Sequence, residues 1–228
     1  MARPAKGVAI IAELTFLERP NGLYNNQSSP MPDRLPLIYL VRHGETAWSI
    51  TGQHTGRRDL PLTPKGEEDA LRLGNLLPKL PQARVFVSPL QRARRTCELA
   101  GFSQRAEVDP DLAEWDYGNY EGLTRKEIRQ QNPNWQLFRD GCPGGESLQT
   151  ISDRADRIVT RLRALGGDAI LFSSGHIMRV FAARWLQLDA SCARLWTLDT
   201  TSLSILGYEH DLDQPIIRLW NDRRPVVD

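Results

Sequence analysis

The sequence predicts an α/β protein, a three-layer sandwich in which a mostly parallel sheet is flanked by helices on both faces. Short apolar runs of strand length recur along the chain, as in Leu37–Val41 and Ala169–Phe172. Continuous apolar character is typical of strands that are buried on both faces. Segments with helical spacing follow these runs, and the alternation of strands with helices favours parallel pairing.

The elements follow one another from residue 37 onward. Thr63–Pro64 combines a capping side chain with proline in the first helical position, and we expect this helix to end near Leu77. Apolar residues repeat at helical spacing over Leu148–Leu165, and Gly166–Gly167 ends that helix. The other predicted elements are a strand at Arg84–Val87, helices at Leu90–Ala100 and Ile177–Leu188, and strands at Leu203–Leu206 and Ile216–Trp220.

The first 34 residues differ from the rest of the chain. They contain a turn-rich stretch over 19–30 and show no sustained periodicity. We expect residues 1–34 to be a flexible N-terminal extension and residues 35–228 to form one domain. Met31 stands just before the regular pattern, which leaves open whether residues 1–30 belong to the native protein.

Composition excludes several classes of protein. Lys and Arg number 29 against 28 Asp and Glu, so a net charge of +1 gives no general attraction to nucleic acid or to a membrane surface. The three scattered cysteines form neither a disulfide framework nor a zinc motif, which fits a reducing compartment. Apolar runs are too short to cross a bilayer. We therefore expect a cytoplasmic protein whose partners include neither nucleic acid nor membrane, with its oligomeric state left open.

Polar and charged residues follow three of the predicted strands at the point where each strand ends. Arg42-His43-Gly44 follows the first strand, Ser88–Arg92 the second, and Ser173–His176 the Ala169–Phe172 strand. Functional sites of parallel sheets form at the carboxyl ends of the strands. The sequence therefore predicts that two histidines and two arginines converge at one edge of the sheet.

This set of residues suits phosphoryl transfer. Arginines such as Arg42 and Arg92 offer forked, permanently charged donors that match phosphate oxygens. A neutral imidazole attacks phosphorus, while a neighbouring imidazolium stabilises the equatorial oxygens. The leaving oxygen needs a proton, and Glu114 is flanked by aromatic residues that would desolvate it and favour its protonated form.

Four motifs stand in one order along the chain. They are Arg42-His43-Gly44-Glu45-Thr46-x-Trp48, Ser88-Pro-Leu-x-Arg92-Ala-x-x-Thr96, Glu114, and Gly175-His176. In this order they resemble the histidine phosphatase superfamily, which includes the cofactor-dependent phosphoglycerate mutases. The resemblance covers the chain from about Leu37 and implies the α/β sandwich already inferred.

The resemblance also implies a role for each residue. His43 would be the nucleophile, with Arg42, Arg92 and His176 binding the phosphoryl group. Glu114 would act first as acid and then as base. The family needs no metal, and neither a metal site nor a cofactor is predicted for this chain.

Further segments resemble one branch of the superfamily, the sedoheptulose-1,7-bisphosphatase-like proteins. These segments are Ser49–Gly56, Asp59–Pro64, Glu114–Gly122 and Arg139–Cys142. The resemblance implies a substrate site that includes Ser49, Thr55, Gly56, Tyr117, Arg125 and Gly175.

Each assignment has a structural rival. Arg92 lies close to Arg94 and Arg95 and would, with them, form an ordinary solvated helix face. Asp116 competes with Glu114 as the acid. We interpret His54 as a loop residue near the mouth of the site and His210 as a turn residue.

Three functions compete. The first is a phosphatase for small phosphorylated metabolites, such as sugar phosphates or bisphosphates, with sedoheptulose 1,7-bisphosphate as an example. The second is a phosphoglycerate mutase, which the short segment Gln130–Glu146 disfavours because mutases carry a longer insertion there. The third is a binding module without catalysis, which is expected to have lost a catalytic group, whereas all five positions are filled.

Overall fold

The computed structural model describes residues 34–224, apart from the side chain of Leu76. The expected N-terminal extension therefore lies outside the described residues, except for Arg34. The strands are β1 Ile38–Arg42, β2 Arg84–Val87, β3 Ala106–Val108, β4 Ala169–Ser173, β5 Leu203–Tyr208 and β6 Pro215–Asp222. The α-helices are α1 Ala47–Thr51, α2 Pro64–Leu76, α3 Gln91–Leu99, α4 Arg125–Gln131, α5 Leu137–Asp140, α6 Leu148–Leu165 and α7 Gly175–Trp185.

The strands form one sheet in the order β3-β2-β4-β1-β5-β6. The first four strands of this order are parallel, and β5 and β6 join antiparallel to β1 and to each other. The predicted α/β class and the mostly parallel sheet are confirmed. Because β1 lies beside β4 and β4 beside β2, three strands that carry the predicted motifs are neighbours.

Alternation along β1 divides the core into two layers. Ile38 and Leu40 pack on one side of the sheet with α6 and α7, whereas Tyr39 and Val41 pack on the other side with α2 and α3. All four side chains are buried, as expected for a strand covered on both faces. The three-layer arrangement follows directly from this pattern.

The sequence predicted the long elements with small errors at their ends. The α2 helix begins as expected, with the Thr63 hydroxyl accepting from the Gly66 N–H at 3.0 Å and proline in the first turn. The α7 helix begins two residues earlier than predicted, at Gly175, so that His176 lies inside its first turn. The prediction missed the three-residue edge strand β3 and the short helices α1, α4 and α5, because each is too short to show a period.

Three tryptophans near the carboxyl end of the chain differ in their burial. Trp185 is fully buried, whereas Trp196 and Trp220 are half-buried and pack edge to face with ring centroids 6.0 Å apart. No helix in residues 34–224 is both long and apolar enough to cross a bilayer.

Two leucines of α2 give a matched test of the core. Leu73 is fully buried, whereas Leu71 on the same helix is 50% exposed. We expect Leu73→Ala to lower the free energy of unfolding by about 2–5 kcal/mol, since it removes buried contacts and leaves a cavity. Leu71→Ala should change it by less than about 0.5 kcal/mol in the same urea titration. Equal losses would contradict the burial described for α2.

Candidate active site

The register of the sheet brings the three predicted motifs together. Arg42 at the end of β1 pairs with Ser173 at the end of β4, and the His43 N–H donates to the Ser173 carbonyl at 2.9 Å. On the other side of β4, the Ser88 N–H donates to the Phe172 carbonyl at 2.9 Å. The segments that follow β1, β2 and β4 therefore leave the sheet side by side.

His43 is held with one ring nitrogen free. Its side chain is buried, and Nδ1 lies 2.8 Å from the carbonyl oxygen of Gly44. Because a carbonyl only accepts, Nδ1 carries the proton and Nε2 keeps its lone pair. Burial lowers the pKa of His43 well below 6.5, and the charges of Arg92 and Arg42 lower it further. The ring is therefore neutral near pH 7, as a nucleophile must be.

Gly44 has no room for a side chain. A Cβ at this position would lie 2.5 Å from the carbonyl oxygen of Gly66, which is backbone at the start of α2. The Gly44 N–H donates to the Thr96 hydroxyl at 2.9 Å, and that hydroxyl donates to the Arg92 carbonyl at 2.7 Å. Thr96 thus connects the segment that carries His43 to the helix that carries Arg92.

Both predicted arginines lie against backbone carbonyls. Arg42 donates through Nη1 to the Leu198 carbonyl, and its Nε is buried without a partner among residues 34–224. Arg92 is fully buried and donates through both Nη atoms to carbonyls of the loop 55–58, each at 3.0 Å. Its Nε is likewise buried and has no partner in the part of the chain that the structure describes. The rival interpretation of Arg92 as part of a solvated helix face is wrong, because Arg92 is buried while Arg94 is exposed.

Glu114 lies in surroundings different from those that its aromatic neighbours suggested. Its buried carboxylate accepts three backbone hydrogen bonds, from the N–H groups of Trp115, His176 and Ile177, at 2.9, 3.0 and 2.9 Å. The sequence suggested an apolar environment that would desolvate Glu114. The structure instead surrounds its carboxylate with N–H donors. Asp116 pairs instead with Arg57 at 2.8 Å.

His176 lies between two aromatic groups. Its Nδ1 is hydrogen-bonded to the Tyr117 hydroxyl and lies 3.9 Å from Glu114 Oε2, while the His54 ring stacks on it at 6.2 Å. Burial lowers the pKa of His176 well below 6.5, and the charge of Arg179 adds to this effect. These surroundings favour the neutral ring, whereas the sequence suggested an imidazolium. An approaching phosphate dianion would reverse this balance.

A cavity of about 200 Å³ opens over these groups. It is lined by four of the five predicted catalytic residues, namely Arg42, His43, Glu114 and His176; Arg92 lies behind the lining. A larger cavity of about 660 Å³ lies over α3 and β3 and is lined by none of them. We place the candidate site in the smaller cavity because four of the five predicted catalytic residues, His43 among them, line it.

The predicted substrate-binding residues divide into two groups. Those that line the catalytic cavity are Ser49, Thr55, Tyr117 and Gly175. Arg125 lines a neighbouring cavity, and Gly56 lines neither of these two cavities. The Gly56 N–H donates to the Glu121 carboxylate at 2.8 Å, and its carbonyl accepts from Arg92. Gly56 therefore shapes the loop. The Ser49 hydroxyl is engaged with Thr46 in the cap of α1.

Sequence reasoning missed several residues of the site. Arg179 lines the catalytic cavity one helical turn after His176, and this i+3 spacing was the signal that would have found it. Trp48 and Gln53 also line the cavity. His54 lies in a loop at the cavity and His210 in an exposed turn, as predicted. Within residues 34–224, no three His, Cys, Asp or Glu side chains are grouped so as to hold a metal ion.

Comparison with known proteins identifies relatives of the chain. Residues 38–223 match the model of the histidine phosphatase superfamily, branch 1. An acid phosphatase from Mycobacterium tuberculosis is 42% identical over 195 residues, which cover 83% of this chain and 96% of that protein. Sedoheptulose 1,7-bisphosphatase from Saccharomyces cerevisiae is 38% identical over 232 residues, covering 83% and 86%. A probable phosphoglycerate mutase from Shigella boydii is 33% identical over 185 residues, covering 77% and 86%.

A solved structure gives the same result for the fold. The structure of an open reading frame from Mycobacterium tuberculosis superposes with a TM-score of 0.78 at 38% identity, covering 82% of this chain and 98% of that one.

Two buried histidines make stability depend on pH. The pKa values of His43 and His176 are lowered on folding, so below about pH 6.5 the unfolded chain binds protons that the folded chain does not. We expect the free energy of unfolding to fall as pH decreases from 7 to 5, by ~1.4 kcal/mol per pH unit for each such histidine. Urea titrations across this range would measure the slope.

Two variants test which histidine causes this dependence of stability on pH. His176→Asn should reduce it by the contribution of one histidine, ~1.4 kcal/mol per pH unit, whereas His210→Asn should leave it unchanged because His210 is exposed in a turn. An equal slope in His176→Asn and the unaltered chain would contradict the neutral, buried state of His176.

Proposed function

Because this chain belongs to the histidine phosphatase superfamily, we propose that it hydrolyses small phosphorylated metabolites through a phosphohistidine on His43. The observation that supports the proposal best is the protonation state of His43 and its position in the cavity. Its neutral ring lines the cavity with Nε2 unprotonated, and two buried arginine Nε atoms beside it have no partner in the described chain. A tetrahedral phosphate supplies the acceptors that these groups need.

The first step forms the phosphohistidine. Nε2 of His43 attacks phosphorus, a nitrogen–phosphorus bond forms, and the bond from phosphorus to the leaving oxygen breaks. Arg42, Arg92 and His176 stabilise the negative charge on the phosphoryl oxygens. Gly175 leaves room for the Arg42 side chain, since a Cβ at position 175 would lie 3.3 Å from the Arg42 guanidinium carbon.

Glu114 is the proton donor in the first step and the proton acceptor in the second. In the first step the Glu114 carboxyl, which the three backbone N–H donors hold in position, carries the proton for the leaving group. The leaving alkoxide takes this proton. In the second step the carboxylate takes a proton from water, the water oxygen attacks phosphorus, and the nitrogen–phosphorus bond breaks. Inorganic phosphate leaves, and Glu114 is protonated again.

Sugar phosphates are the substrates that we propose. Thr55, Gln53 and Tyr117 line the cavity, and side chains with hydroxyl or amide groups are chemically suited to the hydroxyls of a sugar. The yeast relative carries the name of a sugar bisphosphatase, which supports the same class. Sedoheptulose 1,7-bisphosphate is therefore the first substrate to test.

Phosphoglycerate mutase activity is the second candidate, because one relative is named a probable phosphoglycerate mutase. A mutase returns the phosphoryl group to a bound intermediate, which needs a site closed to water. Here residues 130–146 pack against the core through Trp135, Leu137 and Phe138 and form one wall of the neighbouring cavity. Because these residues are held in the wall of the neighbouring cavity, they are not available to close the site to water, and hydrolysis is favoured over transfer to a bound intermediate.

A phosphate-release assay separates these functions. In buffer containing EDTA, we expect release of inorganic phosphate from sedoheptulose 1,7-bisphosphate and fructose 1,6-bisphosphate, because arginines supply the positive charge that a metal would supply. With 3-phosphoglycerate and a bisphosphoglycerate primer we expect little 2-phosphoglycerate. Rapid primer-dependent interconversion would support the mutase, and activity that depended on added magnesium would contradict the metal-independent mechanism.

Replacement of Glu114 by Gln tests the proton transfer. The variant keeps size and polarity but loses the proton that a sugar alkoxide requires, whereas p-nitrophenolate leaves with little help. We expect kcat on a sugar phosphate to fall by about 10²-fold more than kcat on p-nitrophenyl phosphate. Asp116→Asn is the matched control and should affect both substrates alike. Equal losses on the two substrates in Glu114→Gln would assign Glu114 to binding alone.

A further inference from the structure

A second cavity of about 200 Å³ adjoins the catalytic cavity. Three residues, His54, His176 and Arg179, line both cavities. The second cavity is further lined by Arg125, Trp135, Gln136, Leu137, Phe138 and Arg194. Small-molecule sites usually measure about 300–1,000 Å³. Each cavity alone is smaller than this, whereas the two together fall within the range, which points to one ligand that spans both.

Three arginines give the second cavity its charge. Arg125, Arg179 and Arg194 reach it from α4, α7 and the turn that follows α7. None of the three forms an ion pair with a carboxylate in the described part of the chain. Many other arginines do, as in the pairs Arg157–Asp111 and Arg184–Asp156. Unpaired positive charge therefore accumulates here.

Arg179 is the best positioned of the three. Its Nε donates to the Ala193 carbonyl at 3.0 Å, and its guanidinium carbon lies 4.7 Å from the centre of the Phe138 ring. These contacts fix the guanidinium at the boundary between the cavities. Burial lowers the pKa of Arg179 to about 10, so the protein holds this cation at a cost that a bound anion would offset.

We infer that the second cavity binds a second phosphate group of the substrate, with Arg179 and Arg194 as specificity-determining residues, so that the enzyme prefers sugar bisphosphates to monophosphates. The inference rests on the proposed function and extends it from one phosphate to two. Three unpaired guanidinium groups match the charge and the several acceptor oxygens of a phosphate dianion better than those of a single carboxylate. Trp135 and Phe138 offer apolar wall for the carbon chain between the two groups.

Substrates that differ by one phosphate test the inference. We would measure kcat/KM for fructose 1,6-bisphosphate, fructose 1-phosphate and fructose 6-phosphate, with 3-phosphoglycerate as the carboxylate comparison. The bisphosphate should exceed the better monophosphate by about tenfold or more, the effect of one charge-assisted interaction. The preference should weaken in 0.5 M salt, because Arg194 is exposed and its charge is screened.

Variants assign this preference to the second cavity. In Arg179→Met/Arg194→Met, the ratio of bisphosphate to monophosphate kcat/KM should fall about tenfold or more. Arg179→Lys/Arg194→Lys should restore part of the ratio, which a purely structural role would not explain. Arg94→Met is the control. Arg94 is exposed, as Arg194 is, and its replacement removes one positive charge, but Arg94 lines the separate cavity over α3. This control should leave the ratio unchanged.

A binding measurement keeps the inference separate from catalysis. Titration calorimetry on His43→Ala, which lacks the nucleophile, should show tighter binding of fructose 1,6-bisphosphate than of either monophosphate. Equal affinities, or a ratio of kcat/KM that the double variant leaves intact, would overturn the inference even if the enzyme is a phosphatase. A preference for 3-phosphoglycerate would assign the second cavity to a carboxylate instead. Failure to hydrolyse any of these esters, with preferential bisphosphate binding intact, would overturn the proposed function alone.

Discussion

Two guanidinium groups, the half-buried one of Arg42 and the fully buried one of Arg92, lie beside a neutral histidine and are the constraint on which the site depends. Arg42 and Arg92 form no ion pair within residues 34–224, and their charges help to keep His43 unprotonated. A buried cation is costly unless its donors are satisfied. Backbone carbonyls satisfy part of them, from Leu198 for Nη1 of Arg42 and from the loop 55–58 for both Nη atoms of Arg92. The two Nε atoms have no partner within residues 34–224, and in the proposed mechanism a bound phosphate supplies one.

The loops around the site follow from this constraint. The loop 55–58 must present several carbonyls to Arg92, and the Glu121 carboxylate holds it in place by accepting from the N–H groups of Gly56 and Arg58. On the opposite side, the first turn of α7 directs two N–H groups at Glu114. Acceptors therefore face the arginines and donors face the carboxylate, so that each charge is stabilised without a direct salt bridge at close range.

The sequence was sufficient to predict the sheet, its long helices and the convergence of the motifs, because these depend on local periodicity and on the order of strands. Position along the chain could not reveal how the guanidinium groups are satisfied. Arg92 shows this limit, since its Nη atoms bond to a loop more than thirty residues away. Glu114 shows it too, because two of its three backbone donors come from a helix about sixty residues later. Such contacts are set by tertiary packing.

If His43 carries the phosphoryl group, the phosphorylated enzyme can be trapped. The Glu114→Gln variant would be mixed with p-nitrophenyl phosphate, quenched in alkali and digested, and the peptides would be examined by mass spectrometry. We expect an acid-labile, alkali-stable phosphate on the peptide that contains His43, and none when His43→Ala is added to the variant. Rapid turnover with no phosphorylated His43, or with phosphate on another residue, would rule out the phosphohistidine mechanism on His43.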